Sequence, residues 1–228
     1  MRTVYATLAV LLALGGCGGN PTQSANSVIA LSETPLPNGG PLVILIGDSI
    51  TQYWSGGAPA YPTEPITTLV PGSVDAGIAG ETTQQMQQRF ASDVLAKNPA
   101  VVVILGGTND IRLEETPNVD AISAMAQAAA TAGARVVIST VPPSELWLGS
   151  TFLTEAETTP AITRFNAQLR DLADAYGYAV ADYYPVMVNA DGSPDEALFL
   201  PDHIHPNATG YDAMWRVLRP VVLYVEGR

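Results

Sequence analysis

A serine, a histidine and an aspartate occur in this chain beside neighbours that favour catalysis. Ser49 follows Gly47-Asp48 at the end of an apolar run, and His205 lies three positions after Asp202. A serine hydroxyl becomes a nucleophile when a histidine removes its proton, and a carboxylate on the other ring nitrogen orients that histidine. We therefore predict Ser49 as the nucleophile, His205 as the general base and Asp202 as the orienting carboxylate. Taken alone, Ser49 is explained as well or better by the N-cap of a helix.

Acyl transfer by a serine also requires hydrogen-bond donors for the oxyanion that develops on the substrate. Residues 77–82 read Gly-Ile-Ala-Gly-Glu-Thr, and residues 107–110 read Gly-Thr-Asn-Asp. We predict an oxyanion hole made by the backbone N–H of Ser49, a glycine N–H of 77–82 and the side-chain amide of Asn109. For residues 107–110, an Asn-Asp turn or a helix cap is the structural alternative.

Together these stretches resemble the SGNH (GDSL-like) hydrolase superfamily, whose four blocks are named for Ser, Gly, Asn and His. Here the letters fall, in the family's order, on Ser49, Gly80, Asn109 and His205. The resemblance implies that Gly80 is the oxyanion glycine and that Asp202 shares a loop with His205. It also implies a flavodoxin-like, three-layer α/β/α fold with a five-stranded parallel sheet, and ester or thioester hydrolysis without a metal. The absence of a Gly-x-Ser-x-Gly elbow argues against an ordinary α/β-hydrolase.

The other titratable residues near these motifs have simpler interpretations. His203 and His205 are the two histidines of the chain, and we interpret His203 as a surface or packed residue. A His-x-His metal pair remains open, but the nearby acids are few and no HExxH-type spacing occurs. We predict no metal and no cofactor, with activity insensitive to chelators. Asp182 is a second candidate for orienting His205, and Glu81 fits the first turn of a helix, where the dipole favours an acid.

Strands alternating with helices must position these residues. Fully apolar runs indicate strands buried on both faces of a parallel sheet. We predict strands at 41–46, 73–76, 100–105, 135–140 and 178–181. Helices are predicted at 117–132, 159–176 and 207–218, with another around Met86, Phe90 and Val94. Because each polar stretch follows the carboxyl end of a strand, the stretches should gather along one rim of the sheet.

Aromatic side chains near the nucleophile, and in an irregular segment after the fourth strand, are candidates for a substrate pocket. They are Trp54, Tyr61, Trp147 and Phe152. Packing beneath the loops is the alternative. Such rings could line an acyl tunnel or a sugar platform, which leaves open a carboxylesterase or arylesterase, a lysophospholipase, a thioesterase and a carbohydrate O-deacetylase. A catalytically silent ligand-binding lipoprotein of the same fold, or a metal-dependent phosphoesterase, would be a different class of function.

The first forty residues predict export. Residues 1–16 carry one charge and an apolar run of about 11 residues, which suits a signal peptide and is too short to span a bilayer. Cys17 follows Leu-Gly-Gly as in a bacterial lipobox, so we expect it to be lipidated; ordinary secretory cleavage is the alternative. Residues 17–40 predict a flexible tether, and 41–228 a single hydrolase domain. The expected location is the bacterial cell envelope, facing the periplasm or the outer surface.

Composition limits the partners. The chain has 228 residues, of which 47% are hydrophobic, enough for one domain with a substantial core. Ten basic against 22 acidic residues give a net charge of −12, and this charge repels nucleic acid. We therefore expect a small-molecule, lipid or acylated-sugar ester as substrate, a membrane contact through Cys17, and a monomer. A single cysteine excludes a disulfide within the chain.

Overall fold

The computed structural model describes residues 39–56, 64–113, 119–145 and 154–227. The predicted signal peptide (1–16), Cys17 and the tether up to residue 38 lie outside the described residues. So do three of the pocket candidates, Tyr61, Trp147 and Phe152. Within the described ranges, no helix is both long enough and apolar enough to cross a membrane.

The described residues contain one sheet of five parallel strands. The strands are β1 (Val43–Gly47), β2 (Val74–Gly77), β3 (Val101–Leu105), β4 (Arg135–Ser139) and β5 (Ala179–Ala181). Their order is β2-β1-β3-β4-β5, and every neighbouring pair is parallel. This is the flavodoxin-like order, in which the winding of the sheet reverses between β1 and β3. The predicted α/β fold class is confirmed, and ligand sites in such sheets lie at the carboxyl ends of the strands beside that reversal.

Helices cover both faces of the sheet. In the described part of the chain they are α1 (Ser49–Gln52), α2 (Ile66–Leu69), α3 (Thr83–Asp93), α4 (Thr108–Arg112), α5 (Val119–Thr131), α6 (Glu155–Tyr176) and α7 (Ala208–Glu226). Short 3-10 turns lie at Tyr53–Ser55, Leu95–Lys97, Tyr184–Val186 and Glu196–Leu198.

Strand side chains alternate between two separate cores. Val43 and Leu45 of β1 pack with side chains of α1, α2 and α7 on one face. Ile44 and Ile46 pack with side chains of α3, α5 and α6 on the other face. Because both faces are covered, β1 is apolar throughout, and its parallel pairing with β2 on one side and β3 on the other fixes its register. The residues that leave its carboxyl end are therefore held in fixed positions.

Two helices run further than the sequence predicted, each of them through a proline. α6 begins at Glu155 and contains Pro160, and α7 continues to Glu226 through Pro220. A proline inside a helix costs about 3 kcal/mol because it removes a hydrogen bond. Beyond Pro220, Val222 and Val225 are buried in the α7 core, and each such side chain contributes roughly 1.5–3 kcal/mol. Tertiary packing therefore offsets the local cost.

Candidate active site

Ser49 is the first residue of α1 and follows β1 almost directly. The turn between them requires glycine at position 47, because a Cβ there would lie 2.0 Å from Thr51 Oγ1 and 2.7 Å from the Leu105 carbonyl oxygen. Asp48 caps the helix by accepting a hydrogen bond of 2.9 Å from the Ile50 N–H. The Ser49 N–H is among the first-turn donors that a helix leaves without an intrahelical acceptor. It is therefore suited to bind an anion.

The structure brings the three predicted catalytic side chains into contact. Ser49 Oγ lies 2.8 Å from His205 Nε2, although the two residues are 156 positions apart. His205 Nδ1 lies 2.6 Å from Asp202 Oδ2. The other oxygen of Asp202 accepts hydrogen bonds of 2.9 Å from the N–H groups of Ile204 and His205. The carboxylate therefore fixes its own loop and the imidazole together.

The surroundings of Asp202 set the tautomer of the histidine. Partial burial alone would raise the pKa of Asp202, but the hydrogen bonds from the His205 ring, the His205 N–H and the Ile204 N–H lower that pKa overall. Asp202 is consequently ionised at neutral pH and accepts a proton-bearing Nδ1. Nε2 of a neutral imidazole is then left as an acceptor facing Ser49. This is the arrangement that a general base requires.

Tyr53 packs against the same imidazole, a contact that the sequence analysis missed. The ring centroids of Tyr53 and His205 are 5.0 Å apart, and the rings are tilted by 57°. Tyr53 follows Ser49 by four positions, so the spacing along one helical face was the available signal. The imidazole is thus confined by Asp202, Ser49 and an aromatic ring.

The loop that carries Gly80 is fastened to the strand and helix around the serine. The Ile78 N–H donates to the Gly47 carbonyl at 3.0 Å. The Ala79 N–H donates to the side-chain oxygen of Gln52 at 2.8 Å. Gly80 then has a φ of +83°, a conformation that glycine adopts at little steric cost. Gly80 is therefore held in a tight turn tied to the Ser49 segment.

Asn109 lies on α4, which follows β3, and its side chain binds the loop that carries Gly80. Its Nδ2 donates to the Glu81 carbonyl at 3.0 Å, which leaves the second hydrogen of the amide for a ligand. The next residue, Asp110, is buried and accepts from the N–H and hydroxyl of Thr83 at 3.0 Å and 2.6 Å. The side chain of Asn109 is thus tied to Glu81, the residue that follows Gly80.

Asp48 is a buried carboxyl with a strongly altered pKa. Complete burial raises the pKa of Asp48 to about 7, the hydrogen bond from Ile50 opposes this, and the charge of Asp110 adds to it. Among the described residues its Oδ2 has no hydrogen-bond partner. Asp48 therefore changes protonation close to neutral pH without contacting the triad imidazole.

For Trp54, one of the pocket candidates, the structure favours the packing alternative. Its side chain is 2% exposed. It packs against Tyr211 and Tyr183 with ring-centroid distances of 5.3 Å and 6.4 Å. Because the 3-10 turn after α1 points this indole into the core, Trp54 is a packing residue.

Two acids also differ from their sequence interpretations. Asp182 accepts two hydrogen bonds from Arg170, at 3.0 Å and 2.8 Å, so it does not orient His205.

Glu81 precedes the N-cap of α3 instead of lying in its first turn. Its carboxylate accepts from Arg89 at 2.7 Å, so an ion pair holds it rather than the helix dipole. Arg89 was not singled out from sequence, although a lone cation on a Gln-rich face was a usable signal.

His203 joins two loops beside the triad. Its Nδ1 lies 2.9 Å from the carboxylate of Glu145, and the Glu145 N–H donates to the His203 carbonyl at 2.9 Å. With Glu196 it forms a group whose possible ligand atoms lie within 4.8 Å of one another. Since the imidazole already pairs with Glu145, these contacts join the segment 141–145 to the loop that carries Asp202 and His205.

Comparison with known proteins identifies one family. The model of the GDSL-like lipase/acylhydrolase family matches residues 45–213. That range contains every residue placed in the triad and the predicted oxyanion hole. No curated protein matches the chain significantly.

Solved structures with the same fold include two from Bacteroides. One is a Bacteroides fragilis protein named as an acylhydrolase, which is 26% identical to this chain and has a TM-score of 0.69. The match covers 90% of this chain and 97% of the other. A GDSL-like lipase from Bacteroides thetaiotaomicron is 25% identical, with coverages of 87% and 95% and a TM-score of 0.67. A catalytic mutant of an acetylxylan esterase from Geobacillus stearothermophilus is 16% identical, covers 80% and 94%, and has a TM-score of 0.62. The last likeness shows a shared fold alone.

Proposed function

Because the chain belongs to the GDSL-like lipase/acylhydrolase family, we propose that it hydrolyses carboxylic esters or thioesters through an acyl-enzyme on Ser49. One observation carries the proposal: Ser49 Oγ, both ring nitrogens of His205 and Asp202 Oδ2 lie in a continuous line of contacts of 2.8 Å and 2.6 Å. Both distances suit proton transfer through a general base. A protein that only binds a ligand has no need of this alignment.

Acylation uses the line of contacts directly. His205 Nε2 accepts the hydroxyl proton of Ser49 while Oγ attacks the carbonyl carbon of the substrate. The negative charge of Asp202 stabilises the imidazolium that forms. The carbonyl oxygen becomes an oxyanion and accepts hydrogen bonds from the N–H groups of Ser49 and Gly80 and from Asn109 Nδ2. Collapse of the intermediate breaks the bond to the leaving alcohol or thiol, which takes the proton from Nε2.

Deacylation repeats these steps with water as the nucleophile. His205 Nε2 accepts a proton from water as its oxygen attacks the acyl carbon. The same three donors stabilise the second oxyanion. The bond to Ser49 Oγ then breaks, and the serine recovers its proton from Nε2 while the carboxylic acid leaves.

The charge of the protein supports uncharged or cationic substrates. A net charge of −12 repels an anionic polymer at a distance of several ångströms and lowers its rate of association. We therefore propose neutral esters, with the acyl chain length as the variable that separates a carbohydrate O-deacetylase or short-chain esterase from a lipid hydrolase.

Replacement of the nucleophile tests this mechanism. We expect Ser49→Ala to lower kcat on p-nitrophenyl acetate by at least about 10³-fold, with unchanged circular dichroism and Tm. A fluorophosphonate should label the natural protein on Ser49 and leave Ser49→Ala unlabelled. Ser123→Ala, which alters a serine on α5 bonded to Gln127, is the matched control and should keep full activity.

The remaining outcomes separate the alternatives. A higher rate on p-nitrophenyl acetate than on the decanoate would indicate a small acyl pocket, and the reverse would indicate a lipid substrate. A natural protein that neither hydrolyses esters nor reacts with fluorophosphonate would be a silent binding protein. Full activity in Ser49→Ala would exclude the acyl-enzyme.

A further inference from the structure

Arg89 is a cation held largely inside the protein, in the middle of α3. Its side chain is only 14% exposed, whereas arginine side chains usually keep the guanidinium in water. Nε and Nη2 both lie 2.7 Å from the same carboxylate oxygen of Glu81. Nη2 also donates to the Gly47 carbonyl at 3.2 Å, and Nη1 donates to Asp93 at 3.2 Å. Asp93 lies on α3 as well, so one guanidinium joins its own helix to two other segments, those of Gly47 and Glu81.

Two of these segments carry the proposed oxyanion donors. Gly47 ends β1 and stands two residues before Ser49. Glu81 follows Gly80 directly, and its carbonyl accepts the hydrogen bond from Asn109 Nδ2. All three donors are therefore within two residues, or one hydrogen bond, of a group that Arg89 holds.

We propose that Arg89 is a positioning residue, which holds the donors from Ser49, Gly80 and Asn109 in one oxyanion-binding geometry without touching the reacting atoms. The inference rests on the proposed function, because an oxyanion hole matters only if an oxyanion forms. Donors of this kind act by being preorganised where charge develops, and a displacement of about 0.5–1 Å is enough to weaken them. Charge-assisted hydrogen bonds from a rigid fork provide that constraint.

The fork shape, more than the charge, is what the site requires. The guanidinium is planar and directs its five N–H donors at fixed angles, so it can serve a carboxylate and a carbonyl at once. An ammonium group is a compact charge on a flexible stem. Arg89→Lys therefore keeps the charge beside Glu81 and loses the fixed link to Gly47.

The chain contains a matched pair for comparison. Arg170 binds Asp182 through Nε and Nη2, at 3.0 Å and 2.8 Å. These are the same two nitrogens by which Arg89 binds Glu81, although Arg170 contacts both carboxylate oxygens and is the more exposed of the two, at 31% against 14%. Asp182 lies just beyond β5, on the far side of the sheet order from β2. If ion pairs of this type only stabilise the fold, the loss of either should affect Tm and leave kcat alone.

Kinetics of Arg89→Lys, with Arg170→Lys as control, test the inference on p-nitrophenyl acetate. We expect Arg89→Lys to lower kcat by about tenfold or more, a fraction of the 10²–10³-fold effect of losing a donor outright, with KM changed by less than about twofold. Labelling by fluorophosphonate should slow in parallel, because phosphonylation uses the same donors. Arg170→Lys should keep the natural kcat.

A double variant identifies the route of the effect. If Arg89 acts through the oxyanion hole, its replacement in an Asn109→Ala background should cost much less than in the natural background, because the two changes remove one shared interaction. Equal costs in both backgrounds would overturn the inference, as would a natural kcat in Arg89→Lys.

Should Arg89→Lys fail to fold, Glu81→Gln decides in its place. That change retains the carbonyl that binds Asn109 and removes the charge that holds Arg89, so we expect a smaller decrease in kcat of the same kind. A natural kcat in Glu81→Gln would then overturn the inference. Failure of the proposed function is a separate result, since it would appear as activity that survives Ser49→Ala, or as a natural protein that neither hydrolyses esters nor reacts with fluorophosphonate.

Discussion

Two aspartates of the site, Asp202 and Asp48, differ in their environments and therefore in their protonation. Asp202 accepts three hydrogen bonds from Ile204 and His205, and these lower its pKa. Asp48 is fully buried, and burial raises its pKa to about 7 in spite of the hydrogen bond that its carboxyl accepts from the Ile50 N–H. Desolvation favours the neutral acid, whereas donors favour the carboxylate. Only Asp202 therefore provides a permanent negative charge for the imidazole.

Replacement of Asp202 by asparagine tests the role of that charge. An asparagine Nδ2 would donate to His205 Nδ1 and force the ring proton onto Nε2, where it blocks acceptance from Ser49. We expect Asp202→Asn to lower kcat at pH 7 by about 10²–10⁴-fold, measured on p-nitrophenyl acetate across pH 5–9. Asp182→Asn is the control and should remain within a few-fold of the natural protein. A natural kcat in Asp202→Asn would contradict the assignment.

Some residues of the site could be identified from the sequence, and others could not. Asp202 and His205 lie three positions apart, and Ser49 and Asn109 stand in compact motifs, so local spacing was informative. Arg89 contacts Gly47, 42 positions away, and no local pattern encodes that contact. The role of Trp54 stayed open at the level of sequence, because an aromatic ring near a nucleophile suits both a pocket and a core until its burial is known.

At the scale of elements, the five strands were predictable and the ends of the helices were not. A parallel strand that is buried on both faces has a continuous apolar sequence, as in Val101–Leu105. The end of α7 depends on the burial of Val222 and Val225 against the rest of the core, and this packing is tertiary structure that no local sequence pattern reveals. The short α4 was missed because five residues are too few to show a helical period.

The loop after β2 offers a test of how backbone shape sets donor position. Gly80 and Gly72 both have a φ of +83°, and an added Cβ would meet nothing within 4 Å at either. Alanine should therefore cost about 1 kcal/mol of unfolding free energy at both positions through backbone strain alone. We expect only Gly80→Ala to lower kcat as well, because its N–H is a proposed oxyanion donor.

Urea unfolding and ester hydrolysis measure the two effects separately. Gly72→Ala serves as the control for strain, since it shares the backbone angle and lies away from the site. Equal kcat values in the two variants would show that backbone strain at position 80 does not move its N–H away from the position that catalysis requires.

For the whole molecule, the candidate catalytic groups lie where the two cores end, at the carboxyl edge of the sheet. The sheet separates a core containing α7 from a core containing α3, α5 and α6, and both close over the carboxyl ends of β1 and β3. Carboxyls placed there, such as Asp48 and Asp110, are enclosed by packed side chains and lose their water. The alternation of strands and helices predicted this rim, but the sequence alone could not reveal that Asp48 is completely buried.

That burial links the stability of the protein to pH. Asp48 has an ordinary pKa of 3.8 when the chain is unfolded and a pKa of about 7 when it is folded, so between these values unfolding releases a proton. The free energy of unfolding should consequently decrease as pH rises from about 4 to about 7 and then level off. The shift corresponds to at most about 4 kcal/mol.

Asp48→Asn isolates this contribution from those of the other acids. The amide oxygen still accepts from the Ile50 N–H, while the side chain no longer ionises, so the part of the slope that belongs to position 48 disappears. We expect the unfolding free energy of the variant, relative to the natural protein, to increase from about pH 4 to about pH 7 and then to level off, in urea titrations carried out from pH 4 to pH 8. A difference that stays constant over this range would mean that Asp48 is ionised throughout, and the buried rim would then have to contain a compensating group.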